Sequence, residues 1–292
     1  MRLLKGTLYY FTEHFYAEED MKYKLPFFMI LIVSIGGSVV MGQKLFTALR
    51  EYKAGEQIYE EISEIAHISV PTSSREISNS EITEIALTPE PEETFHPDET
   101  KSSPIDFDRL EEISPDTRGW IRLEGTRVDY PVMQSRDNDY YLSRAVNGTW
   151  NKVGTPFMDF RNSGDFSDRL TVIYGHYMGD GSMFTDIHSY KSQKFYDEHP
   201  YIDLYTPDGS FLILPVAGVY QNVEYWDFTF DYDSDEAFLR QIETWKALST
   251  FKSDTEYDAD DRFVVLTLCT YDVENSRFLL VGKFADLDEF VY

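Results

Sequence analysis

Two runs, FVVLTLCTY (263–271) and NSRFLLVGKF (275–284), decide how the chain is read. Both are dense in β-branched and aromatic residues, and a short polar stretch separates them. That pattern predicts a strand, a loop and a second strand. A connection of this length can bring Cys269, at the end of the first strand, and Arg277, at the start of the second, to one edge of a sheet. The apolar lead-in to Cys269 would hold a thiol rigidly at a strand end, where it can face a groove.

Working outward, similar runs recur through the C-terminal two thirds. Arg127–Val132, Thr155–Phe160, Leu170–Tyr174, Tyr201–Tyr205 and Phe211–Tyr220 read as strands, alongside Phe263–Leu268 and Phe278–Phe284. Turn signals separate them at Asn147–Gly148, Asn162–Gly164, Gly179–Gly181 and Pro207–Gly209. The stretch IDFDRLEEI (105–113) reads as a short helix ending near Ser114–Pro115. A second helix is predicted over Asp235–Leu248, with Phe238, Leu239, Ile242 and Trp245 on one face. Many short strands with one late helix predict an antiparallel barrel or sandwich over 105–292.

The N-terminal part has a different character. Residues 1–24 form a charged leader. Residues 25–43, LPFFMILIVSIGGSVVMGQ, carry no charge and are long enough to cross a hydrocarbon core about 30 Å thick. A cleaved signal peptide fits less well, because the run is long and starts late. Lysines and arginines lie on both sides, so charge does not orient the span. Residues 44–66 read as a helix weakened at Gly55. Residues 67–104 are rich in Ser, Thr, Pro and Glu and read as a flexible, self-repelling tether.

Composition excludes several classes. The 292 residues are 42% hydrophobic and 16% aromatic, enough for a packed core. The 52 acidic residues against 26 basic ones give a net charge of −26, which repels phosphate backbones and excludes nucleic acid as a partner. The single cysteine rules out an internal disulfide. Such a residue is either a small buried hydrophobe or, outside the membrane, a reactive thiol.

Three residue types at three strand ends could make an acyl-transfer site. Cys269 would be the nucleophile. His176, in LTVIYGHYMGDGSMF (170–184), would be a general acid and base. Arg277 would favour the thiolate and donate to an oxyanion. Taken singly, each has a bland reading: core thiol, turn histidine, surface ion pair. His188 and His199 lack a second cysteine or His-x-x-x-His spacing, so no metal is expected.

Together these motifs resemble the sortases, specifically class B, over about residues 107–284. RGWIRLEGTRVDYPVMQSRDNDYYL (118–142) is similar to the family's opening segment, and GTPFMDFRN (154–162) with the YGH segment is similar to its histidine region. The spacing from Cys269 to Arg277 and the RF-x-x-x-GK ending match as well. The family usually shows Thr-Leu-x-Thr-Cys; here the residues are Val265, Leu266, Thr267, Leu268 and Cys269. Tyr177 stands where asparagine usually follows the histidine.

The resemblance implies a closed sortase-type β-barrel of about eight strands, with N-terminal helices and one inserted helix, preceded by a transmembrane helix. It implies a cysteine transpeptidase whose catalytic domain lies outside a Gram-positive membrane. Such an enzyme cleaves a sorting signal after Thr through a thioacyl-enzyme and passes the acyl group to peptidoglycan or a pilin lysine. Cys269, His176 and Arg277 would be catalytic; Thr267, Leu268, Asn138 and Leu142 would line the substrate groove. No cofactor is implied. The rivals are another cell-wall cysteine peptidase and an anchored binding protein that has lost catalysis.

Overall fold

In the computed structural model, residues 21–67, 103–222, 228–269 and 275–286 are described. The expected tether, 67–104, lies outside them except at its ends. The chain divides into two compact units, Met1–Ala54 and Gly55–Tyr292.

In the first unit, helix α1 (Met21–Ala66) begins and presents Phe27, Met29, Ile30, Ile32 and Val33 outward. By length and composition α1 could cross a membrane. The same helix continues into the second unit. There Tyr59, Ile62 and Ala66 are buried, so residues 55–66 belong with the folded body that the sequence was expected to begin at 105.

In the second unit, helix α2 (Phe107–Ile113) starts where the Asp106 carboxylate accepts from the Arg109 N–H at 3.1 Å, and ends at Ser114. Eight strands follow: β1 (Thr117–Arg122), β2 (Asp129–Met133), β3 (Phe157–Met158), β4 (Leu170–Gly175), β5 (Ile202–Thr206), β6 (Gly209–Asn222), β7 (Phe263–Cys269) and β8 (Ser276–Asp286). They close into a barrel in the order β1-β2-β3-β4-β7-β8-β6-β5. Closure leaves no free sheet edge.

Helix α3 (Gln193–Glu198) and 3-10 turns at Tyr140–Ser143 and Phe184–Lys191 occupy connections between the strands. The inserted helix α4 (Asp235–Ala247) sits where its sequence placed it. Ser234 caps it by accepting from the Ala237 N–H at 3.2 Å, and Phe238, Ile242 and Trp245 are buried.

The barrel is not purely antiparallel. β4 pairs with β7, and β2 with β3, in parallel. The long excursion through β5, β6 and α4 carries the chain back to run beside β4 in the same direction, as a parallel pair requires. This also explains why β7 reads as a continuous apolar run. It lies between β4 and β8, and every residue from Phe263 to Leu268 is buried. Phe238 of α4 meets Phe263 edge-on at 5.6 Å on one face of the strand.

Candidate active site

The three residues singled out from the sequence come together through register. On β7 and β8, Cys269 is the Cα partner of Arg277. On β4 and β7, Gly175 is the partner of Leu268. His176 and Cys269 are therefore the next residues along two parallel neighbours. The facing ends of two consecutive strands and a third strand end from much earlier in the chain meet at one place on the barrel rim.

Strand alternation then sorts the neighbours. Positions 263, 265 and 267 share the face of β7 that meets α4 at Phe263. Tyr174 pairs with Thr267 on that face. Thr267 is fully buried, and among the described residues its hydroxyl has no hydrogen-bond partner. Leu268 lies on the opposite face, fully buried between Gly175 and Phe278. Although expected in the groove, it is turned away from the face of Thr267.

His176 is partly exposed. Its Nε2 lies 2.7 Å from the Leu142 carbonyl, which can only accept, so this nitrogen carries the proton. The backbone of His176 is held as well, because its carbonyl accepts from the Phe184 N–H at 3.0 Å. Leu142, in the 3-10 turn Tyr140–Ser143, keeps an exposed side chain beside the site. Gly154 runs underneath at φ +64°. A Cβ there would stand 2.7 Å from the carbonyls of Tyr141 and Leu142 and 3.0 Å from His176 Cδ2. Only glycine satisfies both the left-handed backbone and that approach.

Asn138, expected to line the groove, is half-buried with both ends of its amide engaged. Its amide nitrogen donates to Asp159 at 3.0 Å, and its oxygen accepts from the Phe160 N–H at 3.0 Å. It braces the site wall.

Asp159, which the sequence reading passed over, is the hub of that wall. It is completely buried. Its carboxylate accepts from Arg161 Nε at 2.9 Å, from a terminal Arg161 nitrogen at 3.0 Å and from the Arg161 backbone N–H at 3.0 Å. It also accepts from the Tyr174 hydroxyl at 2.7 Å. Burial pushes its pKa up, but the Arg161, Tyr174 and Asn138 hydrogen bonds outweigh burial and hold it below the ordinary carboxylate value. Tyr174 is pushed up by burial and by the Asp159 charge, while Arg161 and Arg277 pull it partly back. The signal was present in the sequence as Asp159 two residues before Arg161, but nothing local shows that the carboxylate points inward.

His188 and His199, set aside as metal ligands, have other partners. His188 is buried, 3.0 Å from the Tyr220 hydroxyl and edge-on to Phe278. His199 stacks on Phe195 at 4.1 Å.

The closed eight-strand barrel with its helices matches known proteins. No family model matches the chain. Sortase B of Listeria monocytogenes is 31% identical over 177 residues, covering 60% of this chain and 72% of that protein. Sortase B of Staphylococcus aureus is 32% identical over 180 residues, covering 61% and 73%. Among solved structures, the 2.0 Å crystal structure of Staphylococcus aureus sortase B superposes with a TM-score of 0.59 at 29% identity, covering 62% of this chain and 87% of that one. The Clostridium perfringens sortase B structure gives 0.59 at 30% identity, covering 62% and 100%. A Staphylococcus aureus sortase B–substrate complex gives 0.59 at 30%, covering 62% and 85%. The chain belongs to the sortase family, class B, and is a cysteine transpeptidase of that family.

Proposed function

We propose that this transpeptidase is anchored by residues 25–43, acts on the outer face of a Gram-positive membrane, and transfers sorting-signal proteins to an amine. The Cys269 thiolate attacks the carbonyl of the signal's threonine, and a tetrahedral oxyanion forms. The Arg277 guanidinium donates to that oxyanion. The C–N bond breaks, His176 gives its proton to the leaving amine, and a thioester remains on Cys269. An amine of peptidoglycan or of a pilin lysine then attacks the thioester. His176 takes the amine's proton, an amide forms and the thiolate is restored. Leu142 lines the groove that receives the signal, and Thr267 sits buried two residues before the nucleophile.

The observation that supports this reading is the paired register, Cys269 with Arg277 and Gly175 with Leu268. It supports reading Cys269, Arg277 and His176, on adjacent strand ends, as nucleophile, oxyanion donor and acid. His176 is held at that rim by the hydrogen bond from its Nε2 to the Leu142 carbonyl.

The test is transfer of a sorting peptide to an amine, followed by product mass. The wild-type chain should give a new amide when amine is present. Cys269→Ala should give none while melting normally, and turnover by that variant would end the mechanism. Free acid with no amide, even at high amine concentration, would point instead to a peptidase.

A further inference from the structure

The part of α1 that packs on the barrel reaches toward His176. Tyr59 is buried, and its hydroxyl donates to the Gly154 carbonyl. The same oxygen lies 2.8 Å from the Thr155 hydroxyl, which in turn lies 2.8 Å from the Arg144 carbonyl. Each hydroxyl has one proton. With Thr155 donating to Arg144, Tyr59 is the donor to the 154–155 turn. Gly154 is the residue beneath the His176 ring, and Thr155 bonds through its N–H to the Tyr141 carbonyl at 3.0 Å. That carbonyl is one residue from the Leu142 oxygen that holds His176 Nε2.

A second contact lies one turn earlier on the helix. A Cβ at Gly55 would stand 2.9 Å from Val153 Cγ2 and 3.3 Å from the Asn151 side chain, so the helix backbone rests on the same turn. The other flank of His176 is held too. The Tyr59 ring meets Tyr130 edge-on at 5.4 Å, and the Tyr130 hydroxyl accepts from the Met183 N–H at 3.1 Å. Arg127 ties Glu56, at 3.1 Å, to the Asp180 carbonyl, at 2.7 Å. Residues 55–59 thus touch the 151–155 turn directly and reach the 178–183 loop through Tyr130 and Arg127.

We infer that Tyr59 is a positioning residue, fixing the His176 imidazole through Gly154 and the Tyr141–Leu142 carbonyls. The catalytic consequence rests on the role proposed above for His176; the structural consequence does not. The hydroxyl has nothing to do with substrate, and its loss acts only through the turn.

The experiment uses the full chain in detergent, with labelled histidines observed by NMR. The His176 ring signal is assigned by its disappearance in His176→Gln. Tyr59→Phe keeps the ring packing and removes the donor. It should move the His176 resonance. It should also lower kcat about three- to ten-fold, the order expected for one lost hydrogen bond, with KM little changed. Gly55→Ala presses on the same turn from Val153 and should move the same resonance. Ile62→Val, on the same helix but away from the turn, should lower the melting temperature and leave that resonance in place. A His176 signal unmoved in Tyr59→Phe and Gly55→Ala, whatever the melting temperature does, overturns the inference. If His176→Gln keeps full turnover, the proposed role of His176 falls, yet the ring signal still decides whether Tyr59 positions it.

Discussion

Asp159→Asn removes the charge at the hub of the site wall and changes little in volume. The carboxylate is fully buried and takes five hydrogen bonds, two of them from the Arg161 guanidinium. An asparagine offers one oxygen, and its NH2 must face a donor from Arg161, Tyr174 or Asn138. Bonds to charged groups contribute about 1.5–3 kcal/mol each and do not add. Removing one member of a buried pair costs about 3–5 kcal/mol. The Arg161 side chain is 36% exposed and can recover some hydration, which puts the loss nearer the lower bound, about 3 kcal/mol.

For a unit of this size the melting temperature should fall by about 6–12 °C, which circular dichroism at pH 7 measures directly. The pH dependence supplies a second check. The folded pKa of Asp159 is depressed, so its contribution is complete above the unfolded value of 3.8 and fades as pH falls through the folded one. The gap between wild type and variant should therefore shrink below about pH 4. A melting temperature within about 2 °C of wild type at pH 7 would refute the assignment of Asp159 as the hub.

Other outcomes follow from the same structure. Leu268→Thr restores the residue usual in the family, but at a fully buried position between Gly175 and Phe278. It should cost about 2–4 kcal/mol in a urea melt and should not raise transfer; a several-fold gain in rate would show that a hydroxyl there serves the reaction. Tyr59, Tyr141, Tyr174 and Tyr190 all have phenols pushed up, chiefly by burial. Their stabilising contribution is complete below the unfolded value of 10.0 and is lost as pH rises toward the folded values. The fold should thus weaken steeply above about pH 10, with these phenols ionising only as it unfolds; smooth phenol titration in a still-folded chain would contradict this.

Much of the site was legible because its residues sit in strand ends with strong local signals. The apolar run before Cys269 and the RF-x-x-x-GK run after it needed no long-range information. Their register, Cys269 with Arg277, follows from a hairpin. Asn138 and Leu268 show where such reading stops. A sequence lists Asn138 as a polar residue in a loop; both ends of its amide turn out to be taken by Asp159 and Phe160. Leu268 is adjacent to the cysteine in the chain, but strand alternation puts it on the other face. The buried role of Asp159 was equally hidden, since its five donors come from three separate segments.

The sequence by itself determined the strand-rich body, the apolar N-terminal helix, the inserted helix at Asp235–Ala247 and the one cysteine that can serve as nucleophile, because periodicity, capping and composition are local properties. Tertiary structure alone decided that β4 runs parallel to β7, which sets His176 beside Cys269 across a long excursion of chain. It alone decided that residues 55–66 belong to the folded body and that Tyr59 bears on the turn beneath His176. Such contacts depend on how distant segments share one buried volume, and no short stretch of sequence encodes that.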